Sequence, residues 1–198
     1  EIPVAGIPIT VTRTYDTLTA NEKDDFGFGW RLEFRDTNLR TSLRDPSPEE
    51  ELLGRYPGFN DGDRVYVTMP GGRRVGFTFQ AEIDPRLAAS NLPLPQALQF
   101  RNPTFVPDDG VEAELTVPSQ SLTYNAAAGA YAVVGSAIPF NPANQTLSGG
   151  YTLTTKEGIR YNIDAKTGDL SSATDLNGNT LTFSDTGIAS DTGVAVTF

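Results

Sequence analysis

Tyr151-Thr-Leu-Thr-Thr-Lys-Glu-Gly158-Ile-Arg-Tyr161, Asp175-Leu-Asn177-Gly178-Asn-Thr-Leu181-Thr-Phe183 and Asp191-Thr-Gly193-Val-Ala-Val196-Thr-Phe198 repeat one short pattern of strand, Gly turn and strand. Self-similarity at this short period marks an architecture whose units bury their apolar faces only against their neighbours. Gly158, Gly178 and Gly193 stand where a hairpin needs positive φ, and Asn177-Gly178 is the dipeptide that favours a two-residue type I′ turn. After each turn the residues alternate. Ile159, Tyr161 and Ile163 share one face, as do Leu181 and Phe183, and Val194, Val196 and Phe198. A lone hairpin of this kind is marginal, so successive ones are expected to extend a single sheet.

The whole composition agrees with an all-β chain. Of 198 residues only 38% are hydrophobic, while 19 Gly and 14 Pro supply turns for many short strands. The formal net charge of -10 opposes nucleic acid and anionic membrane, leaving Arg73-Arg74 as the one basic pair of note. There is no Cys, so no disulfide or thiolate metal site, and no His, so serine-triad and zinc mechanisms lack a usual member. Neither catalysis nor a cofactor is expected. No apolar run approaches the roughly 20 residues that span a bilayer. The chain starts directly in strand-like sequence without Met, and both ends read as cut from a longer polypeptide.

Three regions are expected. Residues 1–83 form an opening β segment. Within it, residues 7–15 alternate so that Ile9, Val11, Arg13 and Tyr15 share a face, where the Arg13 guanidinium would need a carboxylate or carbonyls. Asp24 to Phe34 sets Gly27 and Gly29 among Phe26, Phe28 and Trp30, an aromatic corner with a bulge or close backbone approach. A short helix is predicted near 47–53, with Ser47 as cap, Pro48 in the first turn, Glu49 to Glu51 at the positive end of the dipole and Gly54 as stop. Val65, Val67 and Met69, then Gly71-Gly72, then Val75, Phe77 and Phe79 read as another hairpin. Residues 84–150 read as an irregular β insertion with weaker strands at 111–117, 122–124 and 131–134, and residues 151–198 as hairpin repeats.

Most acidic residues lie in turns, where Asp bonds its own backbone two residues on. Asp61-Gly-Asp63 and Asp175-Leu-Asn177-Gly-Asn179 offer oxygen ligands at alternate positions, weak calcium candidates that lack the closing bidentate Glu of a calcium loop. A carbohydrate-binding reading draws on Tyr56, Phe59, Phe105, Tyr124 and Tyr131. Its discriminator is exposure: a coplanar, solvent-facing set favours sugar binding and burial favours a scaffold.

Taken together, these segments resemble the Rhs/YD-repeat family. The repeat pattern, roughly Tyr-x-x-Asp, a Gly-Leu pair, then Asp-x-x-Gly, is matched by Tyr161-Asn-Ile-Asp164, Gly168-Asp-Leu170 and Asp175-Leu-Asn-Gly178, and in shortened form by Phe183-Ser-Asp185-Thr-Gly187-Ile188. The front is similar to the segment that opens such shells, with a strand ending Arg13-Thr-Tyr15, then Phe26-Gly-Phe-Gly29-Trp30. Ile163 stands where the repeat has its second aromatic. The resemblance implies antiparallel β-hairpins in a continuous twisted or spiralling sheet, acting as a scaffold or container wall in a large secreted or cell-surface protein. Its partners would be the rest of its own chain or assembly and an enclosed toxin or effector. The residues it marks are structural: Arg13, Tyr15, Gly27, Gly29, Trp30, Tyr161, Asp164, Gly168, Leu170, Asp175, Asn177 and Gly178. The alternative is an adhesive or carbohydrate-binding extracellular β module, calcium-stabilised, with a surface glycan as partner.

Overall fold

The computed structural model describes residues 2, 6–9, 13–15, 17, 21, 23–24, 27–28, 30–32, 37–69, 72–84, 100–136, 138–144 and 149–197. Four short strands come first: β1 (Arg13–Tyr15), β2 (Lys23–Asp24), β3 (Gly27–Phe28) and β4 (Trp30–Leu32). They form two two-stranded ribbons, β1 with β4 and β2 with β3. β5 (Arg40–Thr41), the helix α1 (Pro48–Leu52), β6 (Arg64–Thr68), β7 (Arg74–Ile83), β8 (Arg101–Pro107), β9 (Ala113–Thr116), β10 (Leu122–Asn125) and β11 (Ala130–Val133) follow. β12 (Gly150–Thr155), β13 (Arg160–Asp164), β14 (Leu170–Thr174), β15 (Thr180–Ser184), β16 (Gly187–Ser190) and β17 (Ala195–Thr197) complete the chain. From β5 onward the strands make one 13-stranded sheet in which every pairing between the described strands is antiparallel. The fold is all-β, with one short α-helix among the described residues.

Chain order is nearly sheet order. The path runs β5-β6-β7-β8-β9-β12-β13-β14-β15-β16-β17, and the β10–β11 hairpin branches from it. β8 makes the branch possible. On one side it pairs with β7 from Arg101 to Pro107, and on the other it meets β10 at Arg101 and β9 at Phe105. Pro103 falls where β8 changes neighbour, a place where a missing N–H is tolerated. Residues 84–150 thus supply two strands of the main path and the branch, with 85–99 outside the described residues.

Side-chain alternation sets the register. Phe79, Phe105, Leu115, Leu153, Tyr161, Ala173 and Leu181 are successive partners across seven strands, and all are buried. On the opposite face Thr116, Thr152, Asn162, Ser172 and Thr182 form the matching polar row. There Thr152 Oγ1 donates to Asn162 Oδ1 (2.9 Å) and Asn162 Nδ2 to Ser172 Oγ (2.8 Å). One irregularity keeps the faces apart. Leu170 and Ala173 are an odd number of residues apart, yet both are buried, because the register shifts after Asn162 and Ile163 pairs with Leu170. Ser171 bulges outward, and its hydroxyl donates to Asn162 O (3.1 Å).

Loops fill the apolar side. Phe59 is fully buried, with its N–H donating to Phe140 O (2.9 Å) and its O accepting from Tyr131 N–H (3.1 Å). Its ring lies against Phe79, Phe105 and Phe140 at centroid distances of 5.2, 5.9 and 6.2 Å, two tilted and one edge-on. Ile7 and Ile9 join the same core. The sheet is strongly curled. Thr37 donates through both N–H (3.1 Å) and Oγ1 (2.6 Å) to Gly168 O, and its own O accepts from Thr68 N–H (2.7 Å). Thr68 ends β6 and Gly168 follows β13, with β7, β8, β9 and β12 between them. In a flat sheet those five spacings would span about 24 Å, so a single bridging residue requires curling.

The turns depart from the expected type. A type I′ turn needs positive φ at both Asn177 and Gly178, but Asn38 is the only non-Gly residue with positive φ among the described residues. Instead Gly178 N–H donates to Asp175 O (3.2 Å) and Asp175 N–H to Asn179 O (3.1 Å), with Gly178 at φ 89°. This is a three-residue loop, a type I turn followed by a left-handed Gly bulge. The loops at 155–159 and 190–194 have the same bonds, with Gly158 at 80° and Gly193 at 88°.

Tyr15 also departs from the expected face. It was expected on an apolar face with Ile9, but β1 pairs with β4 in a separate ribbon, and Tyr15 is largely exposed while Ile9 is buried. Phe28 is exposed too, so no buried aromatic corner includes it.

Gly178→Val should destabilise the fold by about 1–3 kcal/mol through left-handed strain alone, since a Cβ there meets nothing within 4 Å. Urea denaturation would show this as a lower midpoint with unchanged slope. Phe79→Ala, at the centre of the aromatic cluster, should cost about 3–5 kcal/mol in the same experiment.

Candidate functional site

Residues 42–58 contain the one α-helix among the described residues, and that helix buries no side chain. Its shape is nonetheless tightly specified. Ser47 caps α1: Glu50 N–H donates to Ser47 Oγ (3.2 Å), and Ser47 N–H donates to Glu50 Oε2 (2.8 Å), a reciprocal capping box. Arg44 reaches the same carboxylate with two bonds, Nη1 to Oε2 (2.7 Å) and Nη2 to Oε1 (2.6 Å). Gly54 then ends the helix at φ 62°. The Arg44 guanidinium, followed by Ser47, holds the Glu50 carboxyl down at about 2.

This segment forms one wall of a cleft of about 740 Å³. Arg44, Arg55, Tyr56 and Pro57 line it on that side, the turn Ala128–Ala130 with Ile138 and Pro139 on the other, and Asn60 and Asp63 between. The two walls are tied beneath. A Cβ on Gly58 would stand 2.8 Å from Ala130 Cβ and 2.9 Å from Pro139 Cβ, so only Gly lets the chain pass there. Asn141 Nδ2 donates to Pro57 O (2.8 Å). Asp63 accepts from Asn60 N–H (2.8 Å) and Ser42 Oγ (3.2 Å). Volume and lining suit a small polar ligand.

The residues singled out in the sequence do not converge on this cleft, apart from Tyr56 and Asp63. Asp61, a calcium candidate, accepts from Ala81 N–H (2.7 Å) through Oδ1 and from Tyr131 O–H (2.8 Å) through Oδ2. Burial, then this bond, pushes the Tyr131 phenol up to about 12. Asp175 spends both oxygens on its own loop, accepting from the N–H groups of Asn177 and Asn179 (each 2.9 Å) and from Asn179 Nδ2 (2.7 Å). The Asn179 side-chain amide chiefly, helped by the loop N–H groups, holds its carboxyl below the usual carboxylate range. Asp164 likewise accepts from Lys166 N–H (2.8 Å) and Thr167 N–H (2.9 Å). Asp164 and Asp175 lock their own turns and Asp61 ties its turn to β7 and β11, and among the described residues no group of three or more Asp or Glu is placed to hold a metal.

Of the five rings proposed as a sugar platform, Phe59, Phe105 and Tyr131 are buried and Tyr56 is half-buried; Tyr124 is exposed and edge-on to Tyr131. They form no coplanar exposed set. Tyr161 and Leu170 sit in the core, and Gly168 bears the carbonyl that holds Thr37. Arg13 and Trp30 lie in β1 and β4 and Gly27 in β3; the side chains of Arg13 and Trp30, and all of Gly29, lie outside the described residues. No helix among the described residues is long and apolar enough to cross a membrane. No family model, curated protein or solved structure matches the chain.

Arg44, Arg55 and Asn60 were not singled out by sequence. The legible signal was the spacing Ser47-x-x-Glu50, a capping box followed by Leu52 and Leu53, both of which are exposed. Because the Glu50 carboxyl is lowered by folding, its stabilising effect is complete above the ordinary carboxylate range and fades as pH falls through about 2. The Ser47 and Glu50 amide signals in NMR should therefore titrate with a midpoint near 2; one near 4.5 would mean that Arg44 and Ser47 do not hold the carboxylate in solution. Asp61→Ala should lower the denaturation midpoint by the equivalent of about 1–3 kcal/mol, since it strips the partner from Ala81 N–H and Tyr131 O–H.

Proposed function

We propose that the chain is a scaffold, a length of wall in a hairpin shell of the Rhs/YD-repeat type, belonging to a large secreted or surface protein. The observation that supports this most is the sheet path. Each strand from β12 to β17 pairs with the next in sequence, so the sheet grows by adding hairpins to one edge. The curl of the sheet suits a curved wall, with the loop-filled core on its apolar side. Its side chains serve register and turns: Asp164 and Asp175 fix loops, Leu170 and Tyr161 fill the core, and the Thr, Ser and Asn row faces outward. No chemistry is assigned to the wall. An effector held inside and the remainder of the assembly are its proposed partners.

Cryo-electron microscopy of the native protein or its assembly tests this. The expected map shows further antiparallel strands added beyond β17, and a sheet that encloses a cavity. A β17 edge that faces solvent, or that meets an unrelated partner, would remove the shell reading.

A further inference from the structure

The cleft beside α1 asks for an explanation that the scaffold does not supply. A helix that buries no side chain contributes little to the core, yet a capping box, a two-bond ion pair and a left-handed Gly stop fix its shape. The shape it fixes is a wall that carries Arg44, Arg55 and Tyr56 to the cleft. Three polar groups there are uncommitted. The Arg55 guanidinium, the Tyr56 hydroxyl and the Asn60 carboxamide make no hydrogen bond within the described residues, whereas Asp61 nearby and Asp175 in its own turn bond through both carboxylate oxygens.

Charge narrows the ligand. Arg44 is neutralised by Glu50, and Arg55 is balanced by Asp63 across the same cleft, so the lining carries no net charge. Its surface is mixed, with Tyr56, Pro57, Ile138 and Pro139 apolar and Arg55, Asn60 and Asp63 polar. A ring beside planar polar groups matches a sugar, whose C–H face stacks on an aromatic while its hydroxyls bond amide, guanidinium and carboxylate. We propose that this cleft binds a neutral oligosaccharide, with Tyr56 as the stacking surface, Arg55 and Asn60 as donors, and Asp63 as acceptor through its remaining lone pairs. The site is independent of the shell reading: a wall segment or a free-standing module could present it equally.

The test uses the intact chain, labelled with nitrogen-15, titrated at millimolar concentration with cellotetraose, chitotetraose, maltotetraose, xylotetraose and mannotetraose. At least one is expected to shift the amide signals of Tyr56, Gly58, Asn60, Gly129 and Ala130 saturably. Arg55→Ala and Asn60→Ala remove side chains that bond nothing in the fold, so each should keep the wild-type denaturation midpoint and weaken that sugar by about tenfold. If no member of the set moves those signals, the proposal is overturned. It is overturned equally if the variants bind as well as the parent, or if only an acidic oligosaccharide or an acidic peptide binds.

Discussion

Everything in the large sheet depends on one row of side chains staying in register from Phe79 in β7 to Leu181 in β15. A slip of one residue in any strand would turn its apolar set outward and bring Thr, Asn or Ser into the core. The row lets the sheet be long without a second sheet packed on it, because the curl and the inserted loops cover the apolar side. Phe59, Phe140, Ile7 and Ile9 take the place of a second layer. The closest approach to a register failure is at β14, and there the Ser171 bulge restores it, with its hydroxyl satisfying the carbonyl that the bulge would otherwise strand.

The outer row shows the same economy in polar form. Thr116, Thr152, Asn162, Ser172 and Thr182 are partners strand by strand, and their side chains bond sideways as well as meeting water. Such cross-strand pairs each add a little, and they add it at the same positions that the apolar row fixes from beneath. Both faces therefore specify one register. At the other end of the sheet, Arg64 pairs with Asp108 over Gly76 (2.5 Å), where a Cβ would collide with both side chains.

Much of this was legible in the chain, and the exceptions have physical causes. The Gly turns, the helix at Ser47 and the buried alternation at Tyr161, Ile163, Leu181 and Phe183 followed from local chemistry. The turn type did not, because Asn-Gly fits both a two-residue I′ loop and the last two positions of a three-residue loop, and the choice lies in which flanking residues pair. β8 was not foreseen, since Arg-Asn-Pro-Thr-Phe-Val-Pro has two prolines and weak alternation; only the fork makes a strand of it. Neither the seating of Phe59 between β11 and Phe140 nor the cleft it underlies could be read locally, for both join segments some seventy to eighty residues apart.

The fork at β8 has a bearing on how this molecule can diversify. Since β9 pairs directly with β12, the β10–β11 hairpin hangs from the main path and sets none of its registers. Its loop could be lengthened, shortened or exchanged by mutation without disturbing the sheet that follows. Ala128 and Gly129 of that loop, with Ala130 at the start of β11, also line the cleft. One side of the cleft can thus be reshaped by changes in a hairpin loop while Tyr56, Asn60 and Asp63 on the other, and the registers of the main sheet, stay as they are.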